Sequence, residues 1–218
     1  MTTLSPAVLS VNVGGPRSVQ WHGRTVLTSI WKTPVTGAVR VGVLNLDGDE
    51  QSDLTVHGGP HKAVYVYPSE HYEHWRSVWP DITLDWAAFG ENLTIAGLLE
   101  GDVRIGDRLR IGSAEFAVAQ PRFPCFKLGI RLNRDDVIKP FLVSGRSGFY
   151  LSVIKEGELS IGDAIDLVPQ TDHDVTISDV AEAYATAGED QNLLRRIIEV
   201  RLLPPRLREH FVKLSDRD

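Results

Sequence analysis

Arg108-Leu109-Arg110-Ile111-Gly112-Ser113-Ala114-Glu115-Phe116-Ala117-Val118-Ala119 is the stretch that decides the fold class. Large apolar side chains fall on every second residue on both sides of Gly112-Ser113. That period places them on one face of an extended chain. A glycine-containing pair between two such runs reads as the turn of a β-hairpin. The same rhythm extends outward to Ala7-Val8-Leu9-Ser10-Val11-Asn12-Val13, and glycines and prolines punctuate the chain from Val8 to Pro169. Phe149-Tyr150-Leu151-Ser152-Val153-Ile154, the turn Lys155-Glu156-Gly157-Glu158 and Leu159 read as a second hairpin. Short strands at this spacing predict a mainly β domain over residues 1–169, as a barrel or sandwich.

Two Ile-Gly-Asp segments, in Val103–Ile111 and Leu159–Leu167, echo one another. They read as similar tight turns leading into strands, because two occurrences do not make a repeat architecture. One helix interrupts the strands at Pro68–Trp79. It has Ser69 as a candidate N-cap and Tyr72, Trp75 and Trp79 at helical spacing, as core packing. After the polar linker Gln170–Asp174 the pattern changes, and residues 174–218 carry three short helices. The first spans about Ser178 to Thr186, the second about Asp190 to Val200, and the third starts at Pro204-Pro205, where proline suits a first helical turn. About forty-five residues are too few for a robust core of their own. The extension is therefore expected to pack on the β domain or on a second subunit, and a homodimer would give it a surface to cover.

The chain has 218 residues and a formal net charge of -6, which argues against non-specific nucleic-acid binding through a basic face. A single cysteine forms no internal disulfide, the N-terminus lacks a signal-peptide pattern, and no run approaches the ~20 apolar residues of a membrane span. A cytoplasmic location is the expectation.

Cys125 is the first candidate for chemistry. It lies in Pro121-Arg122-Phe123-Pro124-Cys125, where prolines stiffen the loop and Arg122 and Lys127 are close in sequence. Nearby cations favour the thiolate, the form that binds metal or attacks an electrophile. A buried cysteine acting as a small hydrophobe fits the same residues. Next comes His57-Gly58-Gly59-Pro60-His61-Lys62, where glycines permit close backbone approach and His and Lys add donors for a phosphate. Read alone, a plain tight turn explains it better than a phosphate site. Asn92, in Phe89-Gly90-Glu91-Asn92, is a candidate to read a heterocycle edge or a phosphate, or to cap a turn. The acids of Asp47–Asp53 fail the EF-hand pattern, because Ser52 stands at the sixth loop position and Gly58 at the twelfth. A solvated turn fits them better, with Asp53 or His57 facing the pocket. A Cys–His hydrolase with His57 as the base for Cys125 stays open.

Lys32-Thr33-Pro34-Val35-Thr36-Gly37, Gly48-Asp49-Glu50-Gln51, His57-Gly58-Gly59-Pro60, Phe89-Gly90-Glu91-Asn92 and Pro121–Cys125 occur in an order that resembles the MOSC domain family. The closer resemblance is to its bacterial members linked to 6-hydroxylaminopurine resistance and detoxification, which carry a three-helix C-terminal extension. The resemblance implies a β-barrel, a molybdopterin-type molybdenum cofactor and a cysteine ligand to molybdenum, which maps onto Cys125. Pyridoxal phosphate binding attaches to the family as a label only. The implied activity is reduction of small N-hydroxylated compounds to amines, with electrons from a separate reductase. Lys32, His57, Lys62, Arg122 and Arg146 are then candidates to hold the cofactor phosphate with the Gly58-Gly59 backbone, and His57 is the neutral-pH proton donor. A non-redox cofactor or sulfur carrier using Cys125, and an interaction module with an inert thiol, are the competing readings.

Overall fold

The structure is a computed structural model that describes residues 5–52, 58–170 and 172–216. Its strands run as β1 (Ala7–Val13), β2 (Arg17–Trp21), β3 (Arg24–Thr28), β4 (Thr33–Val35), β5 (Val39–Val41), β6 (Val64–Pro68), β7 (Leu93–Ala96), β8 (Arg108–Ile111), β9 (Ala114–Pro121), β10 (Phe149–Lys155), β11 (Gly157–Leu159) and β12 (Ile165–Val168). The helices are α1 (His71–Val78), α2 (Phe126–Leu132), α3 (Ile138–Val143), α4 (Ile177–Ala185), α5 (Gln191–Glu199) and α6 (Pro205–Ser215).

The hairpin centred on Gly112-Ser113 forms as its alternation requires. β8 and β9 pair antiparallel, with Leu109 opposite Phe116 and Ile111 opposite Ala114. They sit in an eight-stranded sheet of order β12-β8-β9-β10-β6-β7-β1-β4, in which β6 and β7 are parallel. The two Ile-Gly-Asp segments are tight turns, with Gly106 at φ 92 and Gly162 at φ 90, and the strands they feed, β8 and β12, pair with each other.

Mainly β is therefore correct, but the expected closed barrel is not what forms. The free edge of β1 is divided. Val11–Val13 pair with β4, while Ala7 makes an isolated bridge to Ala164 at the entrance to β12. Val8 N–H donates to the Asp163 carbonyl at 3.0 Å and Ile165 N–H to the Pro6 carbonyl at 2.8 Å. The sheet ends thus approach one another without a continuous closing ladder.

The second expected hairpin is also corrected. β11 pairs with β5, not with β10. A Cβ on Gly157 would lie 2.6 Å from the Ser113 carbonyl carbon. Glycine lets the chain pass tightly over the β8–β9 turn and leave the sheet there.

Helix α1 starts one residue later than the Ser69 cap implies. Glu70 is the N-cap, and the Ser69 hydroxyl donates to the Glu70 carboxylate instead. Tyr72, Trp75 and Trp79 are buried in an aromatic cluster with Tyr67, Phe89 and Phe141, as core. The extension matches its sequence signals closely. Thr176 and Asp179 form a capping box on α4, Asp190 caps α5, and Pro205 lies in the first turn of α6. Leu194, Ile197, Leu207 and Phe211 belong to the same apolar cluster as the sheet-domain residues Val103, Ile105 and Phe116. The extension therefore buries its apolar face on its own β domain. Among the described residues, no helix is long and apolar enough to cross a membrane.

Candidate functional site

A cavity of about 100 Å³ opens where the β3–β4 connection, the segment after Asp49, β6 and the β9–α2 loop meet. Cys125 lies in its wall, as the residue that starts α2 in extended geometry (φ -128, ψ 171). Lys32, Lys62, Arg122 and Lys127 line the same cavity, against the carboxylates Asp49 and Glu50. Four cations and two acids leave the described wall positive by two formal charges, within a chain of net charge -6. Local placement, not net charge, sets the field a ligand meets.

The cations differ in what holds them. Lys32 pairs with the buried carboxylate of Asp49, which also accepts from Gly14 N–H at 3.0 Å. Burial lowers the Lys32 pKa, and Asp49 opposes the shift. Lys62 is held below its ordinary value by burial and by the neighbouring charge of Arg206, with Cys125 acting in the opposite sense. Arg122 is 6% exposed, its guanidinium 5.1 Å from the Phe141 ring centre and 5.6 Å from that of Tyr65. Its Nη1 and the Ser29 Oγ are buried without a hydrogen-bond partner among the described residues. Such atoms are destabilising in isolation and complementary to a ligand that brings acceptors.

The sequence candidates divide three ways. Lys32, Lys62, Arg122 and Cys125 converge on the cavity. Asn92 also lines it, but its amide is committed. The carbonyl accepts from Tyr65 N–H at 3.0 Å and the NH₂ donates to the Asn12 carbonyl at 3.4 Å. Asn92 thereby joins β6, β7 and β1 and braces the cavity wall. Arg146 is outside the cavity wall, its guanidinium on the Ser144 carbonyl at 3.2 Å. Gly58 and Gly59 are outside it too. Gly59, at φ 93, begins a single 3-10 turn, Pro60–Lys62, and the Lys62 N–H returns to the Gly59 carbonyl at 3.0 Å. The glycine pair is a turn that delivers Lys62. His57 and Asp53 lie outside the described residues.

Three contributors carry no local signal. Ser29 follows β3 without a motif, and Tyr65 and Tyr150 meet only because β6 and β10 pair in that register. Burial raises the pKa of both tyrosines, with Arg122 opposing. They are neutral walls at physiological pH. Among the described residues no three His, Cys, Asp or Glu side chains cluster as a metal site.

Known proteins share this architecture and sequence. A family model described as MOSC domain matches residues 53–166. The uncharacterized protein YflK of Bacillus subtilis is 37% identical over 211 residues, which is 97% of this chain and 95% of that one. The crystal structure of YiiM from Geobacillus stearothermophilus superposes with a TM-score of 0.80 at 32% identity, covering 96% of this chain and 99% of the other. A protein named reductase from Gibberella moniliformis is 31% identical over 79% of this chain, which spans 31% of that longer protein.

Proposed function

Because the chain belongs to the MOSC domain family, we propose that it is a molybdenum-cofactor-dependent oxidoreductase that reduces small N-hydroxylated compounds to amines. Family membership supports a molybdenum-cofactor-related function, and a reductase-named relative supports redox chemistry. The observation that carries the reading is the donor set of one cavity: a single thiol, several cations, and an Arg122 Nη1 and Ser29 Oγ that have no partner among the described residues. These residues fit a group that joins a soft metal to a phosphate. A thiolate suits molybdenum as a soft ligand, and guanidinium, ammonium and hydroxyl donors suit phosphate oxygens.

In this reading Cys125 ligates molybdenum, while Arg122, Lys62, Lys127 and Ser29 hold the anionic end. Asp49 keeps Lys32 in place. Ile30 and Tyr150 offer apolar surface to a flat substrate. The cofactor, when bound, supplies two-electron redox chemistry. The overall reaction breaks the substrate N–O bond with two electrons and two protons, releasing the amine and water. In this reading the electrons come from an external reductase. His57 is the proton donor proposed from sequence.

The test is metal content by mass spectrometry after expression in a cofactor-competent host, with Cys125→Ala alongside. Stoichiometric molybdenum in wild type, lost in the variant, is the expected result, together with turnover of an N-hydroxylated base using an artificial electron donor. Wild type that never acquires molybdenum would sink the proposal. Molybdenum without turnover would transfer the site to the carrier reading.

A further inference from the structure

The helical extension contributes no residue to the described cavity wall, yet it packs directly against one that does. Phe123 lies between Arg122 and Cys125 in the β9–α2 loop and lines the cavity. Its ring stacks on Tyr184 of α4, with centres 3.8 Å apart and planes 22° apart. The Tyr184 ring also meets His210 of α6 at 4.9 Å and 31°, and His210 meets the fully buried Phe211 at 5.4 Å. A column of rings thus runs from the core of the extension to the loop that carries the thiol.

The loop has other ties as well. Its backbone is tied at its ends, through Arg122 N–H to the Gly148 carbonyl at 3.3 Å and Leu128 N–H to the Cys125 carbonyl at 2.9 Å. Pro124 has no N–H to add. The extension is itself anchored to the sheet domain. Ile177 N–H donates to the Val103 carbonyl at 3.0 Å and Ile105 N–H to the Val175 carbonyl at 3.2 Å. α6 acts on the cavity by a second route, because the charge of Arg206 is felt at Lys62.

We propose that the C-terminal extension is a working part of the site, in which Tyr184, stacked on Phe123 and braced by His210, is a positioning residue that sets how the loop presents Arg122 and Cys125 to a cavity ligand. The proposal rests on the reading of this cavity as a ligand site, and it is indifferent to which ligand binds. It separates the extension's role in stability from its role in the site.

The test uses the full chain and its one cysteine, so that alkylation by a small maleimide reports on a single position. Tyr184→Ala, Tyr184→Phe and Leu207→Ala are compared with wild type for labelling rate, melting temperature and molybdenum content. Leu207 is a buried α6 residue of the shared core and serves as the stability control. Loss of an aromatic pair that holds the loop should speed labelling about fivefold in Tyr184→Ala. Tyr184→Phe keeps the ring and should label as wild type does, and Leu207→Ala should melt lower without faster labelling. Unchanged labelling in Tyr184→Ala overturns the proposal, as does equal acceleration in Leu207→Ala. Should Tyr184→Ala fail to fold, Phe123→Leu breaks the same stack from the loop side. Wild type without molybdenum would defeat the proposed function but leave the labelling comparison decisive. If wild type takes up molybdenum but the cofactor-free proteins all label alike, this inference alone is defeated.

Discussion

Lys32 and Asp49 form a buried ion pair in the cavity wall, with side-chain exposures of 9% and 2%. Both charges are withdrawn from water, so each is tolerable only while the other is present. Breaking such a pair from one side leaves an uncompensated charge and costs about 3–5 kcal/mol. Asp49→Asn is expected to lose stability in that range by denaturant titration. The double variant Lys32→Met/Asp49→Asn should lose clearly less than the sum of the two single changes. Additive losses would show that the pair is not coupled.

The same lysine predicts a pH dependence. Its folded pKa lies below the ordinary value of 10.5, because burial outweighs the help of Asp49. Between the folded and unfolded pKa values the unfolded chain binds more protons, so the stability contribution rises with pH through that window. It is least favourable below the folded pKa and levels off above 10.5. Lys32→Met lacks this titration. The stability of wild type relative to Lys32→Met should therefore climb as pH is raised from neutral toward that limit. A flat difference would count against a buried, depressed lysine.

Arg122 predicts a separation of stability from binding. Among the described residues the buried Arg122 Nη1 has no partner, although the guanidinium packs on the Phe141 and Tyr65 rings. Arg122→Met is expected to melt no lower than wild type without ligand. Inorganic phosphate should raise the melting temperature of wild type, since a ligand at a hundred times its Kd adds about 2.7 kcal/mol. Arg122→Met should lose that response. Equal phosphate responses in scanning calorimetry would remove Arg122 from the anion site.

Glu91 predicts sensitivity to a single atom. Its carboxylate is fully buried and accepts from Tyr72 Oη, Ala87 N–H at 3.0 Å, Thr94 Oγ1 at 3.0 Å and Phe89 N–H at 3.1 Å. Every partner donates, so a glutamine side chain at this position would point its NH₂ at a donor in either orientation. Glu91→Gln is expected to lose about 1–3 kcal/mol. It should also loosen the turn at Gly90, whose positive φ of 80 and close approach to Ile30 hold the cavity edge. Hydrogen exchange at Ala87 and Phe89 would reveal the loosening, and unchanged protection would refute it.

Local signals account for the parts of the fold that were legible in advance. The alternation around Gly112-Ser113 shows in the β8–β9 hairpin, and the aromatic spacing of Tyr72, Trp75 and Trp79 in α1 and its C-cap. Thr176, Asp190 and Pro205 mark the helix starts of the extension. Helices α2 and α3 escape such reading because they are short, and Gly129 and Pro140 interrupt their patterns. The partner of β11 and the divided edge of β1 are invisible locally, because pairing between distant strands leaves no mark at either one alone.

From its residues alone, the chain determined a mainly β architecture with a helical extension, one thiol on a proline-flanked loop, and a set of candidate cations. Side-chain periodicity and turn chemistry act over a few residues, so they are written where they operate. Only the tertiary structure decided which candidates share a cavity. It gathered Lys32, Lys62 and Arg122 around Cys125, left Arg146 outside, turned Asn92 into a brace, and stacked Tyr184 on Phe123. Convergence of residues far apart in the chain depends on strand order and register, which the packing of the whole core selects.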